Sequence, residues 1–230
     1  IGSEGTLAFI EEITYYTVED LKDKASSLIY FKDIKEACSA VTKLKLAKEA
    51  NTINVEAVEL MDRAGLKSIE NDPAMPAFIK DFDENVTALL IETRAISDAQ
   101  LDIQTAQIEE LLKEFSVVRD IYFTKDVAEY SLYWKIRKGL FPAVGAVRVT
   151  GTTVIIEDVA YPIECLAVAT LELQELFKKY GYSEALIFGH ALEGNFHFVF
   201  TQDFSDPKEI KRYDELMNEV VHSVAVKYQG

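Results

Sequence analysis

The sequence predicts an α+β fold built around an antiparallel sheet. Apolar residues recur at helical spacing in some stretches and at two-residue spacing in others. The two kinds of stretch are mixed along the chain and end in the order helix, strand, helix, hairpin, helix. The hairpin is the firmest sign: apolar runs at 185–188 and 196–200 flank a glycine-containing turn, and a hairpin requires antiparallel pairing.

Taken in order, residues 6–10 read as a strand that β-formers at 13–16 continue, and 28–31 as a second. Asp33 and Glu36 form a capping box. The helix behind it carries Ile34, Ala37, Cys38, Val41 and Leu44 on one stripe to about residue 48. Residues 54–60 alternate as a strand, 61–69 read as a short helix, and Pro73 and Pro76 mark a loop. A strand at 86–92 precedes a helix capped by Ser97 and Gln100, with Leu101, Ile108, Leu111, Leu112 and Phe115 inward. Residues 117–123 read as a further strand. Thr124 opens a helix carrying Val127, Tyr130 and Trp134, which Gly139 and Pro142 are expected to end. A loop at 145–151 leads to a strand at 152–160, and a helix then runs from Pro162 to a stop at Gly181. After the hairpin, Asp206 and Pro207 start a last helix to about residue 226.

The 230 residues are 49% hydrophobic, enough for a substantial core. A formal charge of −15 repels phosphate backbones and anionic lipids, which argues against nucleic-acid and membrane-surface partners. No apolar run approaches the roughly 18 residues that span a bilayer. Cys38 and Cys165 fall on helix stripes and read as reduced core residues, which fits a cytoplasmic setting.

Two of the three histidines, His190 and His197, lie on either side of Glu193-Gly194. With that dipeptide as a two-residue turn, Leu192 faces Asn195, Ala191 faces Phe196 and His190 faces His197. Opposed residues share a face with Cβ atoms roughly 4.5–5.5 Å apart. Two imidazoles so placed can share a divalent metal, which binds nitrogen at about 2.0–2.1 Å. The other reading is a pair of half-buried histidines bonded to backbone. A slip of one residue would turn them to opposite faces. Arg137 follows Trp134 on an apolar helix stripe and must find an anion there. That anion is either a carboxylate of the same domain or that of a substrate, which guanidinium matches in bidentate fashion. Asp158 shares a strand face with Val154 and Ile156 and is expected to pair with Arg137 or to cap the next helix.

Four stretches carry a resemblance. Gly189-His190 with Glu193-Gly194-Asn195-Phe196-His197 resembles the Gly-His-x-x-x-Gly-Asn-x-His signature of FAD-linked oxidases, a family that covers D-lactate, glycolate and D-2-hydroxyglutarate dehydrogenases. The stretch 2–7 resembles the motif that closes the family's FAD domain. Trp134-Lys135-Ile136-Arg137 resembles its Trp-x-x-Arg helix, and 157–162 resembles its Asp-Val-x-x-Pro strand end. The four occur in family order between residues 2 and 197.

The resemblance implies a large antiparallel sheet of ferredoxin-like type with helices mainly on one face. It implies residues 1–16 as the tail of an FAD-binding domain and 17–230 as a substrate or cap domain truncated before its end. Arg137, His190 and His197 become the catalytic group. Arg137 holds a 2-hydroxy acid's carboxylate, Arg148 and Asn195 give further substrate contacts, and His190 and His197 hold a divalent metal such as zinc. The family's third ligand lies in a Glu-His-Gly segment that this chain lacks. Gly5 and Thr6 touch FAD, whose site otherwise belongs to the N-terminal domain of the parent chain. Electrons leave to a quinone or another acceptor, with the enzyme cytoplasmic or peripheral to the inner membrane. The chain starts at Ile1 inside a motif and is expected to be an inactive, colourless fragment. Leu140-Phe141 and Ile155-Ile156 are apolar where some members place a substrate-contacting threonine or lysine, which leaves the acid open, a second carboxylate most of all. The competing expectation is a ferredoxin-like binding or docking module without chemistry.

Overall fold

The computed structural model describes residues 5–73 and 75–230, with Val147 described in its backbone only. Six strands form one antiparallel sheet: β1 (Asp23–Phe31), β2 (Ala57–Met61), β3 (Thr87–Ala95), β4 (Thr153–Ala160), β5 (Leu186–His190) and β6 (Asn195–Gln202), in the order β1-β3-β2-β5-β6-β4. The helices are α1 (Ile34–Glu49), α2 (Arg63–Ile69), α3 (Asp98–Leu112), α4 (Val127–Val147), α5 (Leu166–Lys179) and α6 (Pro207–Val221).

Pairing divides the chain into two similar halves. In the first, β1 and β2 both pair antiparallel with β3 and so run parallel on either side of it, joined through α1. In the second, β4 and β5 flank β6 in the same way, joined through α5. Each half is thus a split β-α-β unit. The two meet at the central β2–β5 ladder, where Glu59 faces His190.

Strand alternation sorts side chains onto two faces. One face carries Ile29, Leu60, Ile91, Ile187, Phe196, Phe198 and Phe200 into the larger core, against α1, α3, α5 and α6. The other carries Tyr30, Met61, Leu90 and Phe188 into a smaller core, which α2 and α4 cover with Leu66, Ile136, Leu140 and Val144. Helices therefore do pack mainly on one face. The expected caps form: Asp33 and Ser97 accept from the amides of Glu36 and Gln100.

Four local expectations are corrected. Residues 6–16 form no strand; Leu7, Phe9 and Tyr16 are almost fully exposed. β-forming residues make a strand only where a partner strand lies alongside, and none does among the described residues. Residues 117–123 are not a strand either. This segment meets β1 through isolated bridges, of Phe31 with Val117 and of Ser26 with Thr124, and covers that sheet edge. Helix α4 begins one turn later than expected, capped by Asp126, and continues through Gly139 and Pro142. Burial of Leu140 and Val144 on the smaller core offsets the hydrogen bond that Pro142 removes.

The hairpin register also differs. Ala191–Glu193 form a 3-10 turn closed by Gly194 at φ 64°, so the connection has four residues and His190 faces Asn195 while His197 faces Phe188. A slip of two residues preserves the face. The histidines are diagonal neighbours on one face rather than opposed. Gly194 is obligatory here, because a Cβ on it would lie 2.1 Å from the Tyr161 carbonyl oxygen.

Candidate functional site

The polar residues of interest gather on the face of the smaller core. Period two places Glu59 of β2, His190 of β5, His197 of β6 and Asp158 of β4 on that face. Helix α4 lies over it and directs Arg137 inward, to 9% exposure.

These side chains form one connected run. Arg137 donates from Nε to Glu59 Oε2 at 2.8 Å, with Nη2 at 2.7 Å from the same oxygen. The other oxygen of Glu59 lies 2.6 Å from His190 Nδ1. The rings of His190 and His197 stand edge-on with centroids 5.5 Å apart. His197 Nδ1 is engaged by Asp158, its partner across the β4–β6 ladder. Arg137 also lies 4.6 Å over the Phe188 ring, and Phe188 stacks at a tilt on His197. One helical turn before Arg137, Trp134 donates its indole N–H to Glu92 at 2.7 Å, and Glu92 also accepts from Arg94.

The structure brings Arg137, His190 and His197 together through Glu59, with Asn195 beside His190 in the ladder. Asn195 itself donates to the Val159 carbonyl. Asp158 is corrected: its partner is His197, because Glu59 already neutralises Arg137. Arg148, at the end of α4, spends its guanidinium on the carbonyls of Gly145 and Thr152. Gly5 and Thr6 lie in the exposed stretch before β1; residues 2–4 of their motif fall outside the described residues. Glu59 and Glu92 carry no motif. Their signal is a lone carboxylate inside an apolar strand, Val58-Glu59-Leu60-Met61 and Leu90-Ile91-Glu92.

Carboxylates outnumber guanidinium groups in this run, which favours an added cation over a lone anion. With Nδ1 of each imidazole turned to a carboxylate, Nε2 is the nitrogen left to ligate. The donors suit a divalent metal but supply two imidazoles, and zinc in a catalytic centre usually takes three protein ligands. Among the described residues no group of three His, Cys, Asp or Glu is arranged to hold a metal ion. No helix among them is long and apolar enough to cross a membrane.

A single antiparallel sheet carries a buried arginine and a pair of imidazoles on its less covered face. The sequence profile of the FAD linked oxidases, C-terminal domain, matches residues 21–230, and the chain belongs to that family. It is 27% identical to the mitochondrial D-lactate dehydrogenase [cytochrome] of Arabidopsis thaliana, over 97% of this chain and 37% of that protein. It is also 27% identical to glycolate oxidase subunit GlcD of Escherichia coli K12, over 96% of this chain and 41% of that one. A probable D-2-hydroxyglutarate dehydrogenase of rice (Oryza sativa subsp. japonica) is 29% identical over 90% of this chain and 35% of its own length. The chain therefore spans well under half of each. Among solved structures, alkyldihydroxyacetonephosphate synthase superposes at a TM-score of 0.60 with 14% identity, over 88% of this chain and 40% of that one. At that identity the likeness concerns the fold alone.

Proposed function

We propose that this chain is the substrate-binding domain of a flavin-dependent 2-hydroxyacid dehydrogenase, with Arg137, His190 and His197 as its reacting surface. One observation carries the reading: Arg137 and both imidazoles lie in a single connected run on one sheet face. In this reading Arg137 takes the substrate carboxylate with the donors that Glu59 leaves free. Asn195 orients the acid from beside His190, and Arg148 adds positive charge at the rim. A divalent metal such as zinc, held on Nε2 of His190 and His197 with further ligands from outside this chain, would supply Lewis acidity toward the 2-hydroxyl. FAD, bound mainly by an N-terminal domain that Gly5 and Thr6 adjoin, would accept hydride from C2 and pass electrons to a quinone or another acceptor. The exposed apolar side chains of Leu7, Phe9 and Tyr16 suit a stretch covered by that domain. The two split β-α-β halves support describing the sheet as ferredoxin-like.

The test is Arg137→Ala and His190→Ala in the parent flavoprotein, assayed with D-lactate, glycolate and D-2-hydroxyglutarate. Each variant is expected to lose at least about 100-fold in kcat/KM on the true substrate, the scale of a removed charged contact to substrate. Full activity in Arg137→Ala would leave a binding or docking module without chemistry, a reading that the Arg137–Glu59 pair by itself favours.

A further inference from the structure

Resting on that reading, we infer that Glu59 is the positioning residue of the site. One carboxylate fixes the guanidinium of Arg137 on one oxygen and the Nδ1-protonated tautomer of His190 on the other. Oε2 takes Nε and Nη2 of Arg137 at 2.8 and 2.7 Å, and Oε1 lies 2.6 Å from His190 Nδ1. A carboxylate only accepts hydrogen bonds, so the imidazole nitrogen facing it must carry the proton. Nε2 of the neutral ring is then left with its lone pair outward, which is what a ligand nitrogen needs.

Three features make Glu59 better suited to this than its neighbours. It is 6% exposed, so its charge is little screened by solvent. Its place opposite His190 is set by the central ladder rather than by side-chain choice. It serves two groups at once, whereas Asp158 serves His197 alone from the edge strand with its side chain 66% exposed. The exposure of the two clients complements this. The His190 side chain is 56% exposed and the Arg137 side chain 10%, so the ring reaches out of the site while the guanidinium stays at its base.

Glu59→Gln separates this role from simple packing. The amide keeps the volume but has one acceptor oxygen, and its NH2 group cannot accept from either partner. It can keep both partners only by donating its NH2 to His190 Nδ1, which requires the Nε2-protonated ring. Nitrogen NMR of the 15N-histidine-labelled 230-residue chain, recorded above the imidazole titration, should show His190 protonated on Nδ1. In Glu59→Gln the proton should redistribute toward Nε2, and zinc affinity by calorimetry should fall about 10- to 100-fold, the usual loss when a ligand's hydrogen-bond partner is removed. Glu59→Asp, which keeps the charge on a shorter stem, should restore part of both. A wild-type His190 protonated on Nε2 overturns the inference, as does a folded Glu59→Gln with unchanged tautomer and zinc affinity. Should Glu59→Gln fail to fold, the wild-type tautomer and Glu59→Asp decide it. Should the 230-residue chain take up too little zinc to measure, as its two imidazoles alone allow, the tautomer measurement decides the role of Glu59.

Discussion

The guanidinium of Arg137 is pressed between Phe188, whose ring centroid lies 4.6 Å away, and Glu59, which meets it at 2.7 Å. A charge so placed is held by its partner rather than by water. Arg137→Ala should therefore cost about 3–5 kcal/mol, because it strands the Glu59 carboxylate in the interior. Replacing both, as Arg137→Met with Glu59→Leu, should recover most of that loss, since a buried ion pair exchanged for apolar groups is often neutral. Urea denaturation of the two single variants and the double variant checks this. A double variant as unstable as Arg137→Ala would contradict it.

The lone tryptophan gives an optical handle. Trp134 sits one turn before Arg137 and is bonded to Glu92, a residue only 3% exposed. An acid that docks on Arg137 should change its emission when zinc and D-lactate are titrated together. Trp134→Phe should lose about 1–3 kcal/mol, because it removes a hydrogen bond to a buried carboxylate.

Two glycine-to-alanine changes should have opposite signs. Gly194→Ala forces a Cβ to 2.1 Å from the Tyr161 oxygen at a left-handed position, and should destabilise by about 1–3 kcal/mol. Gly139 lies inside α4 with nothing within 4 Å of an added Cβ. Gly139→Ala should raise stability by up to about 1 kcal/mol through helix propensity. Thermal unfolding of the two variants side by side decides both.

Asp62 supplies a pH signature. Burial pushes its carboxyl up to about 7 from 3.8, against the opposing hydrogen bonds of the Gly65 and Ile187 backbone. A raised carboxylate binds more protons folded than unfolded between those two values, so its contribution to stability falls as pH rises from about 4 to 7. Asp62→Asn keeps the cap on Gly65 and removes the titration. Wild type should therefore lose stability relative to Asp62→Asn across that interval. A constant difference would exclude the linkage.

The periodicity of most elements, the caps at Asp33 and Ser97, the hairpin, and Arg137, Asp158, His190 and His197 as polar groups on apolar faces are legible in the chain's residue order alone. Those are local properties, set by side-chain spacing and short-range hydrogen bonds. The pairing of each carboxylate with its base is settled only once the sheet is assembled. Glu59 reaches Arg137 from 78 positions away, and Asp158 reaches His197 from 39. Tertiary packing also decides that 6–16 and 117–123 form no strands and that α4 runs through Pro142. A strand needs a neighbour, a helix can be held past a proline by what it buries, and a carboxylate's partner depends on how the whole sheet is ordered. None of these is encoded in the adjoining residues.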